Sequence, residues 1–158
     1  MKVSTRTRYA FRAMLDIAMH YDKGTVLVKH IAGRQQVSAN YLEQILISLK
    51  VAGLVRSVRG AGGGFTLTRQ PSEIRLSEIM RVMEGTTAPV GCVDDPDKYL
   101  RSPFCAVRSV WVEVKKAMNG VLESLTLQDL IERQREKETL ASMQGIGEDI
   151  ISTLSCDN

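Results

Sequence analysis

SANYLEQILISLKVAGLVRSVRGAGGGFTL, residues Ser38–Leu67, changes its hydrophobic period halfway along. Leu42, Ile45, Leu46 and Leu49 recur at steps of three and four, one stripe of an α-helix. Ser38 stands in front of the stripe, where its hydroxyl can accept from an orphan backbone N–H. Gly53 stands behind it, where a left-handed residue ends a helix at little steric cost. Beyond Gly53 the period falls to two. Leu54–Arg59 and Phe65–Thr68 read as strands, with Gly60-Ala61-Gly62-Gly63-Gly64 as the turn between them. A helix followed at once by a glycine-tipped hairpin is the back half of a winged helix-turn-helix, provided a second short helix precedes it.

Val28, Ile31 and Ala32 supply that helix over residues 28–35, interrupted at Val37-Ser38. Upstream, Ser4 or Thr5 caps a longer helix over residues 5–22 that carries Tyr9, Ala10, Ala13, Met14, Ile17, Ala18 and Tyr21. Gly24 ends it, and Thr25-Val26-Leu27 is an extended link. Downstream, Pro71 closes the unit, and Leu76, Ile79, Met80 and Met83 mark a helix stopped at Gly85. Residues 85–104 read as a loop, with two glycines, three prolines and the acidic Asp94, Asp95 and Asp97.

From Phe104 a long amphipathic helix begins, with Val107, Trp111, Val114, Met118, Val121, Leu122 and Leu125 spaced like a coiled-coil seam. Such a seam needs a second surface, either the chain's own helices or a second copy. Thr126 caps a further short helix through Leu130 and Ile131, and the tail from Glu138 is expected to be poorly ordered in part. The fold class is mainly α with a small β-hairpin wing. It divides into a winged helix-turn-helix region at 1–85, a sensor loop at 86–104 with Cys92 and Cys105, a dimerisation helix and short following helix at 104–137, and a tail at 138–158.

The 158 residues are 44% hydrophobic and 25% charged, which excludes a disordered chain, a collagen-like fibre and a disulfide mini-scaffold. No apolar run approaches a membrane span and no secretory leader is visible, so a cytoplasmic protein without a membrane partner is expected. Charge is unevenly placed. Residues 1–75 carry 12 Lys and Arg against 4 Asp and Glu, a net +8, whereas residues 76–158 carry 9 against 14, a net −5. The basic half suits a polyphosphate backbone, because neutralising phosphates releases condensed counterions. A solvated basic surface without a partner is the bland alternative.

The outward residues of the third helix fit double-stranded DNA. Asn40 and Gln44 can donate and accept at base edges, Tyr41 can reach phosphate, and Ser38 can do either. Glu43 is acidic on a surface meant to meet phosphate; it serves as a solubility or capping residue, or it discriminates bases through cytosine N4. Arg59, beside the glycine tip, can enter a minor groove. A nucleotide-binding phosphate loop is disfavoured: such a loop precedes a helix, and here Phe65-Thr66-Leu67 continues as a strand.

Four motifs together resemble one family. They are Ser4-Thr5-Arg6-Thr7-Arg8-Tyr9-Ala10, Tyr41-Leu42-Glu43-Gln44, Gly53-Leu54-Val55 and Ser57-Val58-Arg59-Gly60-Ala61-Gly62-Gly63-Gly64-Phe65. The family is the bacterial Rrf-type winged-helix transcriptional regulators, and the resemblance covers about residues 1–130. It implies a homodimer joined by the long helix that starts near Phe104, and a palindromic operator read by the third helix and the wing. By motif match Ser38, Tyr41, Glu43, Gln44, Ser57, Arg59 and Gly60 are the implied DNA contacts; Asn40 is added on chemistry alone.

The resemblance also bears on Cys92 and Cys105. Cluster-binding members of the family place three cysteines in this region, and some add a histidine one turn into the helix. Cys92 and Cys105 match the outer two; Leu100 or a neighbour replaces the middle one, and Arg108 stands at the histidine position. Some members supply a carboxylate from the first helix, where this chain has Arg8. The implied cofactor is an iron–sulfur cluster, [2Fe–2S] ahead of [4Fe–4S], with ligands beyond Cys92 and Cys105 unassigned, or no cofactor at all. Cys156, the nearby aspartates, His20 and His30 are weaker ligand candidates.

Three readings of the two cysteines stand open: a cluster, a thiol switch in a repressor of cysteine or sulfur metabolism, and inert thiols in a partner-regulated repressor. An enzyme is not expected, nor a small-molecule substrate, because no nucleophile–base set clusters and no cofactor fingerprint appears. A winged-helix protein-interaction adaptor is the alternative from another class.

Overall fold

The structure, a computed structural model, describes residues 3–143. Helix α1 runs Thr5–Met19, α2 Val28–Gln35 and α3 Ala39–Val51. Strands β1 (Val55–Val58) and β2 (Gly64–Leu67) pair antiparallel with Val55 opposite Leu67 and Val58 opposite Gly64. Helix α4 is Leu76–Glu84, α5 Gly91–Asp94, α6 Ala106–Ser124 and α7 Leu127–Met143.

Ser4 starts α1, its Oγ accepting from the Thr7 N–H at 3.1 Å. Ser38 starts α3 in the same way, accepting from the Tyr41 N–H at 3.2 Å. Gln36 closes α2 in a left-handed conformation, φ 52°, which turns the chain from α2 into α3. The predicted stripe of α3 forms the centre of the core: Leu42, Ile45, Leu46 and Leu49 are buried against Ala10, Met14 and Ile17 of α1, Ile31 of α2, and Val55 and Leu67 of the hairpin. The Thr25–Leu27 link adds a bridge to the wing, Val26 exchanging backbone bonds with Phe65, 2.8 Å each way. Gly64 is required there: a Cβ would stand 2.5 Å from the Val26 carbonyl oxygen, and φ is +139°.

Asp16 is a buried carboxylate on α1. Arg34 of α2 grips it with both arms, Nε to Oδ2 at 2.9 Å and Nη2 to Oδ1 at 2.7 Å, fixing α2 against α1. A second polar tie joins the start of α1 to the end of α4. The Ser4 N–H donates to Glu84 Oε1 at 3.0 Å and the buried Thr7 hydroxyl donates to the same oxygen. Hydrogen bonds from Ser4 and then Thr7 hold the Glu84 carboxyl below the usual glutamate range. A carboxyl depressed on folding contributes stability that is present above its unfolded pKa and lost as pH falls through the folded value. Glu84→Gln is therefore expected to flatten the stability–pH curve below about pH 4.3, as read by urea unfolding at a series of pH values. A curve parallel to that of the native chain would remove Glu84 from this role.

Several element limits differ from those read in the sequence. The first helix ends at Met19 rather than residue 22, and Tyr21–Lys23 form a separate 3₁₀ turn. Residues 85–104 are not plain loop: α5 and 3₁₀ turns at Pro96–Lys98 and Ser102–Phe104 compact them. The final helix is not short. It continues to Met143, because Leu127 and Ile131 anchor its first turns in the core and its later turns lack glycine and proline. Residues 138–143 of the expected tail are thus helical, while 144–158, with Cys156, lie outside the described residues. The return from α6 to α7 is held by Leu76 N–H to Leu125 O and Leu127 N–H to Ile74 O, both 3.0 Å.

Candidate nucleic-acid interface

The N-terminal half of α3 presents Ser38, Asn40, Glu43 and Gln44 to solvent. Beside it the wing presents Arg56, Ser57, Arg59 and Gly60. The core stripe of α3 faces inward, so helical geometry turns Asn40 and Gln44 outward. Lys50, in the last turn of α3, donates to the Ser57 hydroxyl at 2.6 Å and ties helix to wing. The Thr25 hydroxyl donates to the carbonyl oxygens of Gly62 and Gly63, holding the wing's turn to the link before α2.

Two expected contacts have structural duties as well. Ser38 Oγ is the α3 cap, so its acceptor side is engaged inward. Tyr41 is half-buried, its ring edge-on to Tyr9 with centroids 6.1 Å apart, and Arg12 lies 6.0 Å over the Tyr9 ring. Residues the sequence reading passed over also reach this face. Arg6 of α1 donates to Ser48 Oγ on α3 at 2.6 Å. No local motif marks that contact, which spans 42 positions in the chain.

Away from this face, the segment between α4 and α6 folds onto α6. The Arg108 guanidinium donates from Nε to the Cys92 carbonyl at 2.8 Å, and Lys115 Nζ pairs with Asp94 Oδ1 at 2.6 Å. Lys115, then the Thr86 hydroxyl, hold the Asp94 carboxyl below the ordinary aspartate range. Cys92 and Cys105 are free and half-buried. Among the described residues no group of three or more His, Cys, Asp or Glu is placed to hold a metal ion. Two thiols do not complete the four-ligand set of an iron–sulfur centre, so the described residues do not by themselves fit that group. His30 is exposed on α2, and His20 Nδ1 lies 2.8 Å from the Asp16 carbonyl oxygen.

None of the α6 residues is buried. Its inner side is taken by Arg108, Lys115 and Asn119, the last bonded to the Thr87 hydroxyl at 2.6 Å. Val107, Val110 and Val121 are 62%, 55% and 58% exposed. With Val114 and Ala117 they form a stripe at steps of three and four. The seam read from the sequence placed Trp111, Met118 and Leu122 in this stripe; all three are half-buried, and Leu122 packs against the chain's own core.

Among the described residues no helix is long and apolar enough to cross a membrane. Residues 3–133 match the Rrf2 family, described as an iron-dependent transcriptional regulator. The chain is similar to the HTH-type transcriptional regulator CymR of Bacillus subtilis, 38% identical over 82% of this chain and 89% of CymR. It is similar also to Protein rrf2 of Nitratidesulfovibrio vulgaris, 39% identical over 83% of this chain and 87% of the relative. Among solved structures, T. potens IscR superposes with TM-score 0.73 and 41% identity, covering 87% of this chain and 91% of that one. The structure of CymR (YrzC), the global cysteine regulator of B. subtilis, superposes with TM-score 0.73 and 37% identity, covering 84% of this chain and 98% of CymR.

Proposed function

The chain belongs to the Rrf2 family of transcriptional regulators, and from that premise we propose that it is a homodimeric, cytoplasmic regulator that binds a palindromic operator and responds to redox or iron–sulfur status through the segment bearing Cys92 and Cys105. The carrying observation is the exposed Asn40, Glu43 and Gln44 on α3 beside a wing bearing Arg59, all on the basic half of the chain. Each α3 enters a major groove and each wing approaches the flanking minor groove, so two copies meet two half-sites at fixed separation. Ser38, Tyr41 and Ser57 serve the backbone; Asn40, Glu43 and Gln44 serve base edges; Arg59 and Gly60 serve the wing contact.

The signal acts on geometry. Cys92 sits on α5, whose carbonyl and Asp94 are held by Arg108 and Lys115 of α6. Cys105 is the residue before α6 begins. A change of state at either thiol therefore acts on the start of the helix that would join the two copies, and through it on the spacing of the two α3 helices.

Selection of a randomised duplex library tests the reading: the protein is expected to enrich an inverted repeat. Cys92→Ala/Cys105→Ala is expected to enrich the same repeat but to lose any difference in affinity between anaerobic, peroxide-treated and iron-depleted protein. Absence of an enriched motif contradicts operator binding. A double variant that still responds contradicts the role of the thiols.

A further inference from the structure

The outward stripe of α3 does not stop at Gln44. At 3.6 residues per turn, Asn40, Gln44, Ile47 and Val51 fall within about 40° of one line. Ile47 is 51% exposed and Val51 84%, although both are large apolar residues on a well-packed domain. The stripe is flanked at this level by two cations. Ser48 and Lys50 lie about 80° to either side of the line. Ser48 accepts from Arg6 Nη2 at 2.6 Å while its own hydroxyl donates to the Gln44 carbonyl at 3.2 Å. Lys50 reaches the Ser57 hydroxyl at 2.6 Å on the opposite side. Both cations are exposed and neither is paired with a carboxylate among the described residues.

An apolar ridge flanked by a cation on each side matches a major groove, which is walled by phosphates and carries the thymine C5-methyl group on its floor. We propose that the third turn of α3 is part of the DNA-reading surface: Ile47 contacts a thymine methyl, and Arg6 and Lys50 meet the phosphates on either side of it. Ile47 lies seven residues beyond Asn40, about 10.5 Å along the helix. Along the inclined groove that is about two to three base-pair steps, so the thymine stands about two or three positions from the base under Asn40. The inference rests on the DNA-binding reading and extends it to a specificity-determining residue.

The probe is the most enriched duplex from the randomised library, with each thymine replaced in turn by deoxyuridine, which lacks only the methyl group. Fluorescence anisotropy with the native chain is expected to find one thymine per half-site whose replacement weakens binding about four-fold, the scale of one buried methyl. Ile47→Ala is expected to bind the thymine duplex about as weakly as the native chain binds the duplex with that thymine replaced in both half-sites, and to be indifferent to either replacement. Arg6→Ala and Lys50→Ala each remove one phosphate contact per half-site, so each is expected to reduce the slope of log affinity against log salt by about 1.8. All three side chains are exposed, so thermal unfolding is expected to stay that of the native chain. An unchanged thymine profile in Ile47→Ala, or unchanged slopes in both cation variants, overturns the inference. Failure of the DNA-binding reading itself shows differently, as the absence of any enriched duplex.

Discussion

Val110→Glu is expected to convert the proposed dimer to a monomer and to lower affinity for a two-half-site duplex by about 10²–10⁴-fold, the range by which linking two binding units exceeds one. The expectation follows from α6. A 19-residue helix with no fully buried residue leaves much of its apolar surface uncovered within one chain. Its stripe of exposed Val107, Val110, Ala117 and Val121, with half-buried Val114 among them, has the spacing of a helix–helix seam. Two copies meeting through that stripe bury it, and a glutamate at Val110 brings a carboxylate from each copy into an apolar contact with no partner cation. In the single chain Val110 is 55% exposed, so the new carboxylate is solvated there and the fold is undisturbed. Sedimentation equilibrium separates the outcomes. A variant that stays dimeric at micromolar concentration places the dimer contact elsewhere.

Arg34→Ala is expected to destabilise the fold by about 3 kcal/mol, the lower end for breaking a buried ion pair, and to lower Tm by roughly 6–12 °C for a chain of this size. The two partners are not equivalent. The Asp16 side chain is 4% exposed and that of Arg34 29%. Removing Arg34 leaves the buried Asp16 carboxylate without its bidentate partner, with only His20 Nδ1, 3.7 Å away, beside it. Removing Asp16 leaves a guanidinium that can turn toward water. Asp16→Ala is therefore the milder single change, and Asp16→Ala/Arg34→Ala is milder than the sum of the two. Chemical unfolding of the four proteins tests this. Additive losses would show that the bidentate contact contributes no coupling. The effect reaches the interface, because α2 packs on α3 and sets the angle at which α3 leaves the domain.

The winged helix-turn-helix was legible because each of its parts follows a local rule. Ser38 caps, the stripe from Leu42 to Leu49 has helical period, and five residues from Gly60 to Gly64 leave only a turn between two strands. The parts that were not legible depend on distant contacts. Arg34 gripping Asp16, Glu84 accepting from Ser4 and Thr7, and Arg6 reaching Ser48 join residues 18 to 80 positions apart, which no periodicity records. The extent of the last helix was missed because Leu127 and Ile131 are anchored by the rest of the fold, whereas the sequence beyond them is polar nearly all round. The half-burial of Tyr41 against Tyr9 is of the same kind. Exposure on α6 could have been anticipated only in part: its apolar arc was visible, but which half of the arc meets the chain's own α4 and which half stays open was not.

The most direct test of the account is the affinity for the selected palindromic duplex between 50 and 200 mM salt, for the native chain and Arg59→Ala. A dimer that neutralises several phosphates through its basic half is predicted to lose at least about 100-fold in affinity across that range. Arg59→Ala is predicted to bind more weakly and with a shallower slope. Affinity that is independent of salt and indifferent to Arg59 would contradict DNA recognition by α3 and the wing.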